Sequence, residues 1–246
     1  MRLAFASDLH GNLPAFEAVL AELDRRGPFD GIYYGGDAVI NGLYPAECVQ
    51  RLIDLGWECV RGNADEWVVA CAHGTTEAAE LTPDEAEQLE ALLMRGRWTA
   101  ERLDESHVAF LESLPLTRTF TGPSGRTLML AHATPWSAHV AIRHNDPEDA
   151  KREALDRAGT GALIYGHIHH AYQQHIDGRT ICCMGAVGLP YDMPRPCFVI
   201  ATDDGEGWAF EHVRATYDSE AYAREVEASD IPNGVPLANL LRNGAA

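Results

Sequence analysis

In its first third the chain repeats one pattern: a short apolar run that ends in polar residues, followed by a segment of helical periodicity. LAFASDLHGN leads into Leu13, Phe16, Val19, Leu20 and Leu23. GIYYGGD precedes a helix opening near Pro45 with Cys48, Val49, Leu52, Ile53 and Leu55 on one stripe, and WECVRGNAD precedes a third helix. Strand, loop and helix in alternation predict a sheet with helical cover. The middle reads as helical, from a capping box at Thr82-Pro83-Asp84-Glu85 with the stripe Leu89, Leu92 and Leu93 behind it, and then a short helix over about Ser106 to Leu114. TRTFT and RTLMLAH flank Gly122-Pro123-Ser124-Gly125 as a hairpin, Asp146-Pro147-Glu148-Asp149 opens another helix, and ALIYGH is a buried strand. From Tyr172 short strands alternate with turns at Asp177-Gly178 and Asp203-Asp204-Gly205, before a final helix from about Asp218. No Ser/Pro/Gly linker divides the chain, and the residues of interest span both halves. One domain over residues 1–246 is expected.

With 246 residues, 46% of them hydrophobic, a packed core needs no staples. No apolar run approaches the ~20 residues that span a bilayer, and MRLAFASDLHGN turns polar too early for a secretory leader. A cytoplasmic protein with no membrane partner is expected. The six cysteines (Cys48, Cys59, Cys71, Cys182, Cys183, Cys197) show no CxxC or zinc-ribbon spacing and read as reduced, mostly buried thiols. A balance of 19 Lys+Arg against 37 Asp+Glu, net −18, repels phosphate backbones. Genomic nucleic acid is therefore excluded as a partner, any site for a small phosphate must be a local positive exception, and a homo-oligomer stays open.

Five polar clusters each follow a predicted strand: Asp8-Leu9-His10, Gly36-Asp37, Gly62-Asn63, Ala131-His132 and Gly166-His167-Ile168-His169. Loops at strand C-termini build the active sites of open α/β sheets. Two clusters place donors at i and i+2, which in extended backbone puts both side chains on one face. Two aspartates, one asparagine and four histidines exceed what one tetrahedral metal takes, and mixed oxygen and nitrogen donors suit Mn, Fe, Co, Ni or Zn. Two divalent transition metal ions sharing one ligand is the natural count. A carboxylate can bridge where a neutral imidazole offers one free nitrogen. Asp37 is the expected bridge, with Asp8 not excluded by chemistry alone. Two dications, two carboxylates and a bridging hydroxide leave a net positive centre, which suits hydrolysis of phosphoesters.

In that order, D-x-H, G-D, G-N, a later H and G-H-x-H resemble the signature of the calcineurin-like metallophosphoesterases, over roughly residues 1 to 200. The resemblance implies an α/β (α+β) fold, a four-layer αββα sandwich of two mixed β-sheets flanked by helices. It implies one metal held by Asp8, His10, Asp37 and His169, and a second by Asp37, Asn63, His132 and His167, manganese being the expected ion. SDLHGNLPAFEAVL, RGNAD, AHATP and GAVGLP look like the small bacterial branch of YfcE-type phosphodiesterases and sequences labelled "protein phosphatase". The implied activity is hydrolysis of a small phosphoester, a phosphodiester first, by a metal-bridging hydroxide, with Asp37 as bridge and Asn63 helping to stabilise the oxyanion. The alternatives are a phosphomonoesterase on phosphoprotein or nucleotides, and a non-catalytic scaffold like the retromer subunit Vps29.

Two departures matter. Where the branch usually reads N-P-G-S-V-G, this chain has Cys183-Met184-Gly185-Ala186-Val187-Gly188. Where many members have G-N-H-[DE], with the histidine as proton donor to the leaving oxygen, Ala64 follows Asn63. Alanine donates no proton, so poor leaving groups should suffer most unless His139 or His144 substitutes. Arg61 reads as a phosphate contact or a solvated arginine, and Asn12 as a loop tie or a phosphate contact. Trp136 reads as lining the mouth of the site or as packing over the hairpin, and His170 as facing away from His169 if the strand continues.

Overall fold

The computed structural model describes residues 1–76 and 83–244. The elements run β1 (Arg2–Ala6), α1 (Leu13–Arg26), β2 (Gly31–Tyr34), α2 (Pro45–Leu55), β3 (Glu58–Cys59), α3 (Asn63–His73), α4 (Pro83–Ala100) and α5 (Glu105–Glu112). They continue with β4 (Thr117–Thr121), β5 (Thr127–Ala131), α6 (Glu148–Ala158), β6 (Ala162–Tyr165), β7 (Ala171–Ile176) and β8 (Arg179–Met184). Last come β9 (Cys197–Asp203), β10 (Trp208–Arg214), α7 (Ser219–Ala228) and α8 (Gly234–Asn243).

Strand β1 is apolar on both faces because it has a layer on each side. Leu3 and Phe5 point one way and Ala4 and Ala6 the other, the two-residue period of a strand. Leu3 and Phe5, with Val199 and Ala201, meet Leu128, Leu130, Ala162, Ile164, Cys182 and Met184 of a second sheet. On the outer face Ala4, Ala6, Tyr34, Phe198 and Ile200 pack on Phe16 and Val19 of α1, Val49 and Leu52 of α2 and Val68 of α3. Leu163, Tyr165, Ile181 and Cys183 cover the far side of the second sheet against Ala154 and Leu155 of α6. The result is the expected αββα order of layers. Both sheets are five-stranded, in orders β10-β9-β1-β2-β3 and β4-β5-β6-β8-β7. Each is mixed: β1, β2 and β3 are parallel while β9 is antiparallel to β1 and β10, and β5, β6 and β8 are parallel between antiparallel β4 and β7.

Parallel strands end at one edge, so β1, β2 and β3 release their polar residues side by side, as do β5 and β6. The two sheets bring those edges together: the Val187 amide donates to Ser7 O at 3.0 Å, and the His167 amide to both Asp8 carboxylate oxygens at 3.2 Å. Gly188 permits this approach, since a Cβ there would lie 1.8 Å from Leu9 O. The Cys183–Gly188 departure is therefore local, because the stretch pins the first loop through its backbone.

The helix expected to close the chain is two helices. Asp218 caps α7, its Oδ1 accepting from the Ala221 amide at 2.9 Å, but Pro232 offers no amide hydrogen and Asn233 turns left-handed at φ +62°. The chain then doubles back, and Leu237, Ala238 and Leu241 of α8 bury Tyr222, Ala223 and Val226 of α7. The capping box at Thr82 lies outside the described residues. Of the stripe behind it, Leu92 packs on the α3 side of the core, and Gly96 lets α4 cross close to Trp67 and Cys71. All six cysteines are free thiols, five of them buried. No helix among the described residues is long and apolar enough to cross a membrane.

Candidate metal centre

Five of the seven candidate ligands have left-handed backbone: Asp8 (+58°), His10 (+47°), Asp37 (+61°), His167 (+66°) and His169 (+57°). This corrects the expectation that extended backbone aligns Asp8 with His10 and His167 with His169. The chain turns at each donor instead of running through it, held by amides across the loops: Asp8 N donates to Gly36 O at 2.9 Å and His10 N to Asp37 O at 3.0 Å. Each such residue costs about 1–2 kcal/mol. Such conformations persist only where the surroundings over-determine them, and they cluster at functional sites.

The side chains meet in two groups. Ligand atoms of Asp8, His10, Asp37 and His169 lie within 4.8 Å of one another, all four residues buried. His10 Nε2 is 3.1 Å from His169 Nε2, and His169 Nε2 is 3.2 Å from Asp8 Oδ1. In the second group Asn63 Oδ1 lies 3.0 Å from His132 Nε2 and 2.8 Å from His167 Nδ1. Asp37 stands between the groups: its Oδ2 is 3.7 Å from His10 Nε2 and 3.4 Å from His132 Nε2, while its Oδ1 accepts from the Ala64 amide at 2.8 Å.

The donor chemistry fits cations. Nδ1 of His10 faces Val39 O and Ile40 O at 3.3 and 3.2 Å, that of His132 faces Gly35 O at 2.8 Å, and that of His169 faces Leu189 O at 2.7 Å. A carbonyl only accepts, so each Nδ1 carries a proton and each Nε2 is the nitrogen turned inward, the one a cation would take in place of any proton there, which is the usual outer arrangement of metal-binding histidines. Burial, followed by repulsion from His169, holds His10 below its ordinary value. Burial and the neighbouring His132 bring His167 down to about 4. Both are neutral donors at pH 7. Burial opposes charge on His132 too, but the Asp37 carboxylate outweighs it and raises that imidazole to about 10. In the metal-free protein His132 thus keeps a proton facing Asp37. Burial opposes ionisation of Asp8, yet His169 keeps its carboxyl below the usual range.

One residue of this machinery gave only a faint sequence signal. Asp65 is buried and accepts from the amides of Asp37, Ala38 and Gly62, each at 2.9 Å, so it fixes the loop carrying Asp37 and the start of α3 together. Its place three residues after Gly62 is a capping position. Burial and the Asp37 charge push its carboxyl up to about 6. Asp65→Ala orphans three buried amides and is expected to cost about 3 kcal/mol or more, read as a lower urea midpoint with an unchanged slope.

The residues with two readings resolve. Asn12 is a tie: its Oδ1 caps α1 at Ala15, and its Nδ2 donates to Gly188 O and the Tyr217 hydroxyl. Trp136 lies under Arg157, 4.1 Å from guanidinium to ring centroid. His144 stacks on His170, and both line a hollow of about 280 Å³ with Arg143 and Tyr191 on the outer side of His167. Ala64, His10, Asp37 and Asn63 line a separate cleft of about 290 Å³ with Trp67, Arg95 and His139. Arg95, which nothing in the sequence singled out, is half-buried there. Its guanidinium donates to Asn41 Oδ1 at 3.0 Å and meets no carboxylate among the described residues.

The family model of the calcineurin-like phosphoesterase superfamily domain matches residues 1–206. A metallophosphoesterase from Sphaerobacter thermophilus superposes with a TM-score of 0.75 at 26% identity, covering 100% of this chain and 99% of that one. A hypothetical protein from Pyrococcus horikoshii OT3 gives a TM-score of 0.81 at 18% identity over 100% and 99% of the two chains, which bears on the fold alone. In sequence, an uncharacterized protein of Methanocaldococcus jannaschii is 32% identical over 191 residues, 77% of this chain and 71% of its own. A symmetrical bis(5'-nucleosyl)-tetraphosphatase from Acidovorax ebreus is 28% identical over 184 residues, 72% of this chain but 61% of that protein.

Proposed function

The chain belongs to the calcineurin-like phosphoesterase superfamily, and on that premise we propose that it hydrolyses phosphodiesters at a centre for two divalent transition metal ions. The observation that carries this reading is the meeting of two donor groups at a single carboxylate oxygen, Asp37 Oδ2. Asp8, His10 and His169 complete one set around it; Asn63, His132 and His167 complete the other. When bound, the cations supply an activated water and draw charge from the phosphoryl oxygens.

The chain's own residues do the rest. Asp8 and Asp37 offset part of the cationic charge and leave a positive centre in a protein of net charge −18. The backbone carbonyls behind His10, His132 and His169 fix which nitrogen faces inward. Asn63 turns its oxygen to His132 and His167, which leaves its Nδ2 to donate to a phosphoryl oxygen, a preorganised contact of the kind that stabilises developing charge. The hydrolase reading requires buried imidazoles converging on carboxylates whereas a scaffold can do without them, and this favours the hydrolase over the Vps29-like alternative. Arg95 gives a second reading support, because a guanidinium that meets no carboxylate among the described residues borders the cleft and suits a substrate bearing a further phosphate. The name of the Acidovorax relative points the same way, to dinucleoside polyphosphates.

The test is reconstitution with Mn²⁺ followed by elemental analysis and a panel of esters. Near two ions per chain and faster turnover of diesters than of monoesters are expected. A dinucleoside polyphosphate outrunning simple diesters would establish the second reading; no more than one ion per chain, or no hydrolysis across the panel, overturns the proposal. Loading at pH 8 should also release a proton, because His132 is held at about 10 until a cation displaces its hydrogen.

A further inference from the structure

Ala64 stands at the cleft where a side chain could protonate the leaving oxygen, and it has nothing to donate. Across the same cleft is His139, on the loop that follows His132. Its amide donates to Ser137 Oγ at 3.0 Å, and that loop is closed by paired hydrogen bonds between Thr134 and Ser137. The imidazole is 61% exposed on its side chain, and its Nε2 lies 2.6 Å from Glu66 Oε2. Glu66 sits one turn into α3, three residues beyond Asn63, and its other oxygen meets Arg61 Nε at 2.8 Å. A carboxylate orients this ring, and the ring borders the space above Asp37 and Asn63.

We propose that His139, oriented by Glu66, is the general acid of this enzyme and fills the role that Ala64 leaves vacant. This rests on the phosphoesterase reading and adds the proton donor to it. With Nε2–H held by Glu66, the imidazolium has Nδ1–H to give. As water's oxygen forms the new P–O bond, the bond to the leaving oxygen breaks and its electron pair stays on that oxygen, which takes the Nδ1 proton. His139 is left neutral and is reprotonated from solvent, which also receives the proton lost by the attacking water. The charged groups around the ring are Glu66 from the first turn of α3, Arg61 from the loop before it, Arg95 from α4, and His10 and Asp37 from the floor of the cleft. His144 is the poorer candidate: it stacks on His170 and borders a different hollow.

The assignment also answers for Arg61, which the sequence leaves between phosphate contact and solvated surface. Arg61 Nε makes an ion pair with Glu66 without an aligned hydrogen bond. It therefore sits behind the carboxylate as a positioning residue that holds Glu66 beside the imidazole.

The experiment compares kcat/KM for an aryl diester, bis(4-nitrophenyl) phosphate, with that for an alkyl diester such as a dinucleotide, using Mn²⁺-loaded protein. His139→Ala is expected to lose roughly 10²–10³-fold on the alkyl leaving group and only severalfold on the aryl one. Glu66→Gln should lower alkyl turnover more than aryl turnover, in the same sense as His139→Ala but less, because the ring loses the carboxylate that orients it. In the His139→Ala background, Ala64→His should restore alkyl turnover in part, a rescue that a merely structural role for His139 would not give. Equal losses on both substrates, or no loss on either, overturn the proposal. Failure of the wild type to hydrolyse any ester would instead sink the phosphoesterase reading, so the two failures are distinguishable.

Discussion

Asp37→Asn should empty both cation sites and lower kcat/KM by about 10³-fold or more, while the protein stays folded. The expectation follows from what each carboxylate oxygen does. Oδ1 accepts from the Ala64 amide, and Oδ2 is the atom nearest to both His10 and His132. Asparagine can keep the first contact with its own oxygen, and its amide then points toward the two imidazole nitrogens. His132 Nε2, 3.4 Å from that atom, can accept from it, so stability should change less than on truncation to alanine. The site, however, now meets a cation with two N–H donors where it had a negative oxygen. Losing the stabilisation that two cations give a phosphoryl transition state costs several kcal/mol, and 1.36 kcal/mol is tenfold in rate. Elemental analysis and the aryl-diester assay read the result. An Asp37→Asn protein that keeps two ions per chain and near wild-type turnover would show that the bridge is Asp8.

The same variant tests the electrostatic account without any activity measurement. In the metal-free wild type, Asp37 holds the His132 imidazolium to about 10, above its ordinary 6.5. A raised folded value stabilises the apo fold fully below about 6.5 and loses that contribution as pH rises through about 10. Asp37→Asn should remove this alkaline decline, and chelated wild type should show it as a falling urea midpoint.

All seven candidate ligands were legible as residues, because each motif ends an apolar run and parallel strands deliver such endings to one edge. Their geometry was not legible. Asp8 and His10 share a side of the site because their loop turns left-handed twice and is tied to Gly36 and Asp37, contacts 25 or more residues away in sequence. A strand-end pattern carries no trace of that. The two closing helices read as one in sequence for a related reason: propensity extends a helix until a breaker, and the weight of Pro232 and Asn233 shows only when α8 has α7 to fold back on. Asp65 was hidden by its chemistry, since an aspartate in the first turn of a helix reads as an ordinary cap. Here its three amides come from two different loops. Arg95 lacked any pattern, because α4 brings it to the cleft across more than fifty residues of intervening chain from Asn41.

The second large effect separates the two donor groups. His169→Ala removes a nitrogen that faces His10 Nε2 and Asp8 Oδ1, and His132→Ala removes one that faces Asn63 Oδ1. Each change should cost one cation and spare the other, because Asp37 Oδ2 and the remaining donors of the untouched group still converge. Rate should nevertheless collapse in both, by about 10²-fold or more, since activating the water and stabilising phosphoryl charge each draw on both ions. The double variant then discriminates. If the two groups serve one reaction, removing the second histidine after the first adds little in kcat/KM, as happens when residues act as a unit. It does, however, remove the last cation. If they were independent sites, the losses in rate would multiply. Ion counts falling from two to one to none, with rate lost almost entirely in the first step, is the expected pattern. A single variant that keeps both ions, or losses that multiply in the double variant, would break the pairing of ligands proposed for this centre.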